Sequence, residues 1–396
     1  MPDAVLRLKK GTDRRLRGGH LWIYSNEVDI AATPLKGMVP GSSVVVEDAR
    51  GKPLGAATVN PASLICARLY SRQSNRELDT SLLVDRLKTA LSQREQLYPE
   101  HCYRLAYGEA DLLPGLIVDR YGDYLALQTT TAGMDRRMPL VLEALVEVLK
   151  PKGIISKNNG AFRLAEQLPE EQSVLFGEVP EQVELVENGC RFLAPLVDGQ
   201  KTGWFYDHRE NRAFLQRFCA DKSVLDVFSY AGGWGVQAAA AGASSVVCVD
   251  SSARALDLVQ HNAELNGLGE RVASLQGKAA EVMKALQKEQ RRFDIIVLDP
   301  PAFIKRKKDQ KQGEKAYHQI NELAIKLLQP GGLLVSASCS MHLPADRLQN
   351  IVRSAGGTRS RRMQLLATLG QGPDHPVHPS IAETSYLKAI FARDLG

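Results

Sequence analysis

The hydrophobic pattern changes twice along the chain. Up to about residue 73 it consists of short apolar runs with polar interruptions: Ala4 to Leu8, a segment Gly18 to Tyr24, then Ser43 to Glu47, Leu54 to Val59 and Leu64 to Leu69, with turns at Pro40-Gly41 and Arg50-Gly51. Short strands at such spacing predict a small barrel. From about Asn75 to Glu187 the spacing predicts a helix over Thr80 to Leu97, strands at Leu116 to Arg120 and Tyr124 to Thr129, a helix over Arg137 to Leu149 and a strand at Gly153 to Lys157. That mixture is a small α+β unit.

Beyond Gly189 the apolar runs lengthen and alternate with helical patterns. Strands are expected at Val224 to Phe228, Ser245 to Val249, Val272 to Gln276, Asp294 to Leu298 and Leu333 to Ser338, the last following a helix, Glu314 to Leu328, that Pro330-Gly331-Gly332 ends. This is the βαβ signature of a parallel sheet, and Met363 to Thr368 and Tyr386 to Ala392 could close it. The predicted divisions are therefore residues 1–73, 74–188 and 189–396.

Composition excludes some classes. The 396 residues are 44% hydrophobic and 24% charged, with a formal net charge of +5, enough for two or three domains and mildly suited to an anionic partner. No stretch approaches the roughly 20 apolar residues of a membrane span, and the opening MPDAVLRLKKG has no apolar signal segment, so a cytoplasmic protein is expected. The six cysteines form no C-x-x-C pair and the histidines do not cluster, so neither a zinc site nor a disulfide framework is expected.

The candidate chemistry centres on Val224 to Gly242, where an apolar strand carrying Asp226 breaks into a turn with Gly232, Gly233 and Gly235 before an alanine-rich helix. Glycines there let the backbone approach a ligand, and helix-start amides point at it. Gly233-Trp234-Gly235-Val236-Gln237-Ala238 also fits the dinucleotide pattern, which leaves a dehydrogenase open. The neighbours point elsewhere. The next strand ends in Asp250, placed for a ribose, and a later one ends in Asp299-Pro300-Pro301-Ala302-Phe303, a stiff rim on which a flat base can lie with its polar edge against Asp299.

Cys339 closes the strand after that rim. A small core residue would also suit the position. A thiolate there could add to carbon 6 of a pyrimidine and activate carbon 5, while Asp299 hydrogen-bonds or protonates N3. Basic residues gather at Lys9, Lys10, Arg14 and Arg15, near Trp22 and Tyr24, and at Lys305, Arg306, Lys307 and Lys308, after Phe303. Such runs are commonly solvated loops, yet they can also track a nucleic-acid backbone.

The sequence resembles the bacterial 23S ribosomal RNA 5-methylcytosine methyltransferase family known as large-subunit methyltransferase I. The resemblance spans essentially the whole chain and rests on Gly19-His20-Leu21-Trp22-Ile23-Tyr24, on Glu109 to Asp119, on Gln200-Lys201-Thr202-Gly203 with Asp207 and Arg209, on Phe228-Ser229-Tyr230, on Asp299 to Phe303 and on Ser338-Cys339-Ser340. It implies an RNA-binding PUA barrel, an α+β middle domain and a class I, Rossmann-like domain using S-adenosylmethionine. By the same resemblance Lys201, Thr202, Gly203, Asp207, Asp226, Phe228, Ser229, Tyr230, Gly232, Gly233 and Asp250 line the cofactor pocket, Arg209 joins the basic residues as an RNA contact, and Cys339 and Asp299 are catalytic. Where many methyltransferases carry an acid for the adenine amino group, this chain has Gly277-Lys278-Ala279, so a backbone group or Glu281 is expected to serve. The implied partner is 23S rRNA or a large-subunit precursor, with no membrane and no metal, and a homodimer is left open. Methylation of an exocyclic amino group or of uracil carbon 5, and a non-catalytic RNA-binding assembly factor, are the alternative functions.

Overall fold

The structure is a computed structural model that describes residues 4–199 and 202–396. Lys201, expected in the cofactor pocket, and Gln200 lie outside the described residues. The chain divides into two compact units, Met1–Val183 with Ala194–Tyr206 and Pro373–Thr384, and Glu184–Leu193 with Asp207–Gly372 and Ser385–Gly396.

The first unit holds two five-stranded sheets. One comprises β1 (Ala4–Arg7), β2 (Trp22–Tyr24), β3 (Ser43–Glu47), β4 (Pro53–Val59) and β5 (Ile65–Ser71) in the order β1-β3-β4-β5-β2, with a short helix α1 (Arg14–Arg17) after β1. Alternation decides its inner face: along β3, Val44 and Val46 are fully buried while their neighbours are not. The other sheet runs β10-β9-β8-β7-β6, from β6 (Cys102–Tyr107), β7 (Leu116–Tyr121), β8 (Tyr124–Thr129), β9 (Gly153–Asn158) and β10 (Glu171–Gly177). The helices α2 (Thr80–Glu95) and α4 (Met138–Leu149) cover it through Leu83, Leu87, Val141 and Leu145, while α3 (Ala132–Asp135) and α5 (Ala161–Ala165) are single turns.

Buried ion pairs tie this unit together. Arg94 grips Asp111 through two bonds of 2.8 and 2.7 Å, Arg104 does the same to Asp119, and Arg68 reaches Glu166 at 2.7 Å. The segment Pro373–Thr384 returns to the same unit from far along the chain: Asp374 accepts the Arg104 amide at 3.1 Å, and Ile381 is fully buried in the core of the first sheet.

A hairpin of β11 (Gln182–Glu187) and β12 (Cys190–Pro195) precedes the larger sheet. The second unit contains α6 (Arg209–Gln216), β13 (Ser223–Val227), α7 (Gly233–Ala240), β14 (Ser245–Asp250), α8 (Ala253–Leu265), β15 (Val272–Gln276), α9 (Ala279–Lys288), β16 (Phe293–Leu298), α10 (Gln310–Leu327), β17 (Leu328–Ser338), α11 (Ala345–Gly357), β18 (Met363–Leu369) and β19 (Lys388–Asp394). Its seven strands run β15-β14-β13-β16-β17-β19-β18, parallel as far as β17, with β19 antiparallel to both neighbours. The buried parallel strands are near-continuous apolar runs, as a sheet covered on both faces requires. β17 begins at Leu328, ahead of the expected Leu333, because Leu328 pairs with Phe293 before Pro330-Gly331-Gly332 bulges and the register resumes at Leu333.

The order reverses at β13. From there the chain winds outward through β14 and β15, then returns to place β16 on the other side, which makes the carboxyl ends of β13 and β16 the switch point where ligands bind in open α/β sheets.

Candidate active site

The turn after β13 is held in an uncommon backbone conformation. Phe228 and Tyr230 have φ of +67° and +48°, in the left-handed region that side chains other than glycine's rarely enter, and Gly232 follows at +80°. Each such residue costs on the order of 1–3 kcal/mol and needs local compensation. It comes from β14: the amides of Phe228 and Ser229 both donate to the Val249 carbonyl, at 2.8 and 3.1 Å, and that of Tyr230 donates to Asp250 Oδ2 at 3.1 Å. The other carboxylate oxygen of Asp250 accepts the Ser252 amide at 2.9 Å. The acid is thereby aimed, and its two oxygens retain lone pairs for further donors.

Beside it lies a hollow of about 160 Å³ lined by Phe228, Val249, Asp250, Ser251, Gly277, Lys278 and Ala279. Glu281 is not among these residues; it is exposed and lies 3.7 Å from the Lys278 ammonium.

Gly235 has a packing cause. A Cβ there would stand 2.5 Å from Cys248 Sγ and 3.2 Å from Asp226 Oδ2, so the match to the dinucleotide pattern reflects how closely α7 sits on β14. Asp226 does not line the hollow as expected. It is fully buried beneath α7, where Oδ2 accepts the Gly235 amide at 2.9 Å, and burial pushes its pKa up to about 7.

At the end of β16, Asp299 receives two donors. His208 Nε2 lies 3.2 Å from Oδ1 and Trp234 Nε1 donates to Oδ2 at 3.1 Å. Burial works against the carboxylate, but the hydrogen bonds of His208 and Trp234 hold its pKa below the usual range. Asp299 is thus an ionised acceptor. His208 is itself buried, and its Nδ1 meets Asn211 Nδ2 at 3.0 Å. His208, Asn211 and Trp234 are not among the expected site residues; for His208 and Asn211 the sequence signal is the density of polar and aromatic groups between Gly199 and Asn211.

Cys339 is half-buried, one residue past β17. Its neighbours are fixed by Tyr317, whose hydroxyl accepts from Ser338 at 2.8 Å and bonds Ser340 at 2.9 Å. Ser340 Oγ also accepts the Ile304 amide at 3.2 Å, joining the Cys339 loop to the one that starts at Asp299. Phe303 lies against Tyr317, ring centroids 4.7 Å apart. Sequence distance hides this junction.

Asp207 is buried, and its carboxylate accepts the Tyr386 hydroxyl. Thr202 and Gly203 belong to the first unit, where the Thr202 hydroxyl donates to Asp119. Arg209 corrects the RNA assignment: it is 3% exposed and lies 3.6 Å from Glu187, which also takes Arg212. A guanidinium in that position neutralises a buried carboxylate and cannot reach a phosphate. Lys9, Lys10, Arg14 and Arg15 are exposed, Arg15 bonding Glu27 and covering the Tyr24 ring at 4.9 Å. Lys305, Arg306, Lys307 and Lys308 are exposed too, with Arg306 on Asp309 at 3.0 Å. Among the described residues no helix is long and apolar enough to cross a membrane, and no group of His, Cys, Asp and Glu is arranged to hold a metal.

Comparison with known proteins agrees with this geometry. Residues 166–393 match the family model for S-adenosylmethionine-dependent methyltransferases, and residues 6–72 that for PUA-like domains. In fold the chain is similar to SMU.776, solved with SAH bound, at a TM-score of 0.85 and 22% identity, covering 98% of this chain and all of that one. The protein is an S-adenosylmethionine-dependent methyltransferase with a PUA-like domain. Ribosomal RNA large subunit methyltransferase I of Cronobacter sakazakii is 35% identical over 97% of this chain and 98% of its own, and that of Aeromonas salmonicida is 36% identical over 99% of each. The chain belongs to this family of ribosomal RNA methyltransferases.

Proposed function

We propose that the protein forms 5-methylcytosine in 23S ribosomal RNA, with Cys339 as the nucleophile. The relatives' names supply the large-subunit RNA, and the observation that carries the chemistry is the hydrogen bond from Ile304 to Ser340, which joins the loop carrying Cys339 to the loop that starts at Asp299. S-adenosylmethionine bound in the hollow supplies an electrophilic methyl group. Asp250, with its two aimed oxygens, suits the ribose hydroxyls, and the Phe228 ring and the uncovered Gly277 backbone that line the hollow suit a purine. The backbone at the start of α9 then serves the adenine, since the first amides of a helix lack partners within it.

At the rim, the Cys339 thiolate adds its electron pair to carbon 6 of cytosine and the ring π pair moves toward carbon 5, which becomes the nucleophile. When carbon 5 has gained the methyl group, a base takes its proton, the pair left behind restores the ring double bond, and the thiolate departs. Asp299 enters as an acceptor. With His208 and Trp234 on it, two lone pairs remain; once addition at carbon 6 has made the ring basic and N3 has taken a proton from solvent, N3–H and the amino N4–H are offered to them. Uracil would turn its O4 toward the same carboxylate, so Asp299 also favours cytosine.

The exposed loop from Lys305 to Lys308 is read as an RNA contact, as are Lys9, Lys10, Arg14 and Arg15. Mapping modified bases in ribosomal RNA from cells with and without the gene tests the proposal. A 5-methylcytosine in 23S rRNA that disappears with the gene is expected; loss of an amino-methylated base or of a 5-methyluracil would contradict it.

A further inference from the structure

Lys388, the first residue of β19, is only 9% exposed. Its ammonium donates to the Ser340 carbonyl at 2.6 Å and the Tyr386 carbonyl at 2.7 Å. The antiparallel register sets Lys388 opposite Ser338. The backbone of Lys388 is therefore paired with the residue before Cys339, and its side chain is hydrogen-bonded to the residue after it.

Taking an ammonium out of water costs several kcal/mol unless an opposite charge compensates, and buried lysines are nearly always paired. Among the described residues no aspartate or glutamate lies within ion-pair distance of Lys388; its bonds go to two neutral carbonyls. Burial lowers its pKa to about 8, and the opposing attraction comes from Cys339. Tyr317 on α10 also acts near Cys339, and burial raises its pKa, so it stays neutral. A thiolate is the anion this arrangement lacks.

We propose that Lys388 is the positioning residue for Cys339, its buried ammonium serving as counter-ion to the Cys339 thiolate. A nearby cation lowers a thiol's pKa and raises the thiolate fraction at neutral pH. The use of that thiolate in catalysis rests on the nucleophile reading above; the ion pair itself does not.

The other five cysteines are buried, so alkylation with iodoacetamide reports on Cys339, which peptide mapping verifies. The rate is followed from pH 5 to 10. For the wild-type protein the midpoint is expected below the ordinary thiol value of about 8.5. Lys388→Met should raise that midpoint by at least about one unit, slowing alkylation at pH 7 about tenfold, and Lys388→Arg should restore most of the rate. S-adenosylmethionine binding and thermal unfolding establish that the variants are folded. A wild-type midpoint at or above that of an ordinary thiol would overturn the proposal, and so would superimposable profiles for wild type and Lys388→Met. Should Lys388→Met not fold, the wild-type titration decides alone. A fully active Cys339→Ala protein would count against the nucleophile and leave the ion pair standing.

Discussion

His208 donates to Asp299 in a fixed tautomer. Asn211 Nδ2 donates to the Gly370 carbonyl at 3.0 Å, which sets the orientation of the amide, and the same nitrogen meets His208 Nδ1 at 3.0 Å. Nδ1 must therefore accept, the proton sits on Nε2, and Nε2 faces Asp299 at 3.2 Å.

This relay makes His208 a positioning residue. His208→Leu should lower kcat about ten- to a hundredfold, equivalent to about 1–3 kcal/mol for a lost hydrogen bond to a charged group, with cofactor affinity unchanged. His208→Gln keeps an N–H donor and should retain most activity. Equal impairment in steady-state assays of the two variants would rule the relay out.

The cofactor prediction rests on Asp250. Asp250→Ala should weaken S-adenosylmethionine binding by about 1–3 kcal/mol, measured by calorimetry, and NAD should produce no heat of binding. The contrary pattern, tight NAD binding insensitive to Asp250, would return the glycine turn to a dehydrogenase.

Asp226 gives a pH prediction with a definite sign. Its folded pKa, near 7, lies above the ordinary aspartate value, so its contribution is fully favourable below about pH 4 and is lost as pH rises toward 7. Asp226→Asn cannot ionise and still accepts the Gly235 amide. Its stability relative to wild type should improve by about 2–4 kcal/mol between pH 5 and pH 8. Urea unfolding at the two pH values checks this, and a pH-independent difference would show that Asp226 does not titrate there.

The basic residues separate into two kinds. Replacing Lys305, Arg306, Lys307 and Lys308 by alanine should flatten the salt dependence of RNA binding, by roughly 0.7–0.9 in slope for each phosphate contact removed. Arg209→Ala should leave the slope alone and destabilise the fold by about 1–3 kcal/mol, because buried Glu187 loses one cationic partner and keeps Arg212. An unchanged slope in the first variant would mean that the loop does not touch phosphates.

What was legible in the sequence was local. The strand, turn and helix from Val224, the acid ending β14, the Asp-Pro-Pro rim and the Ser-Cys-Ser segment are each contiguous, and each ends a strand whose apolar run is unmistakable. Pairing of polar groups across the fold was not. Nothing near Arg209 announces that Glu187 will bury it, and nothing in the last strand announces that Lys388 lacks a carboxylate. The return of Pro373–Thr384 to the first unit was equally hidden, because Arg104 and Asp374 are 270 positions apart. Periodicity reports which face of an element is buried and is silent about which charge waits there.

The central claim is the bond from Cys339 to carbon 6, and the most direct measurement is covalent capture. Target RNA carrying 5-fluorocytosine, incubated with the protein and S-adenosylmethionine, should give a denaturation-resistant protein–RNA adduct, because fluorine at carbon 5 leaves no proton to lose and the thiolate cannot depart. The same RNA with Cys339→Ala should give no adduct, and that variant should not methylate unmodified RNA although it binds cofactor normally. An adduct-free wild-type protein together with a fully active Cys339→Ala would contradict the account and make Cys339 a structural residue.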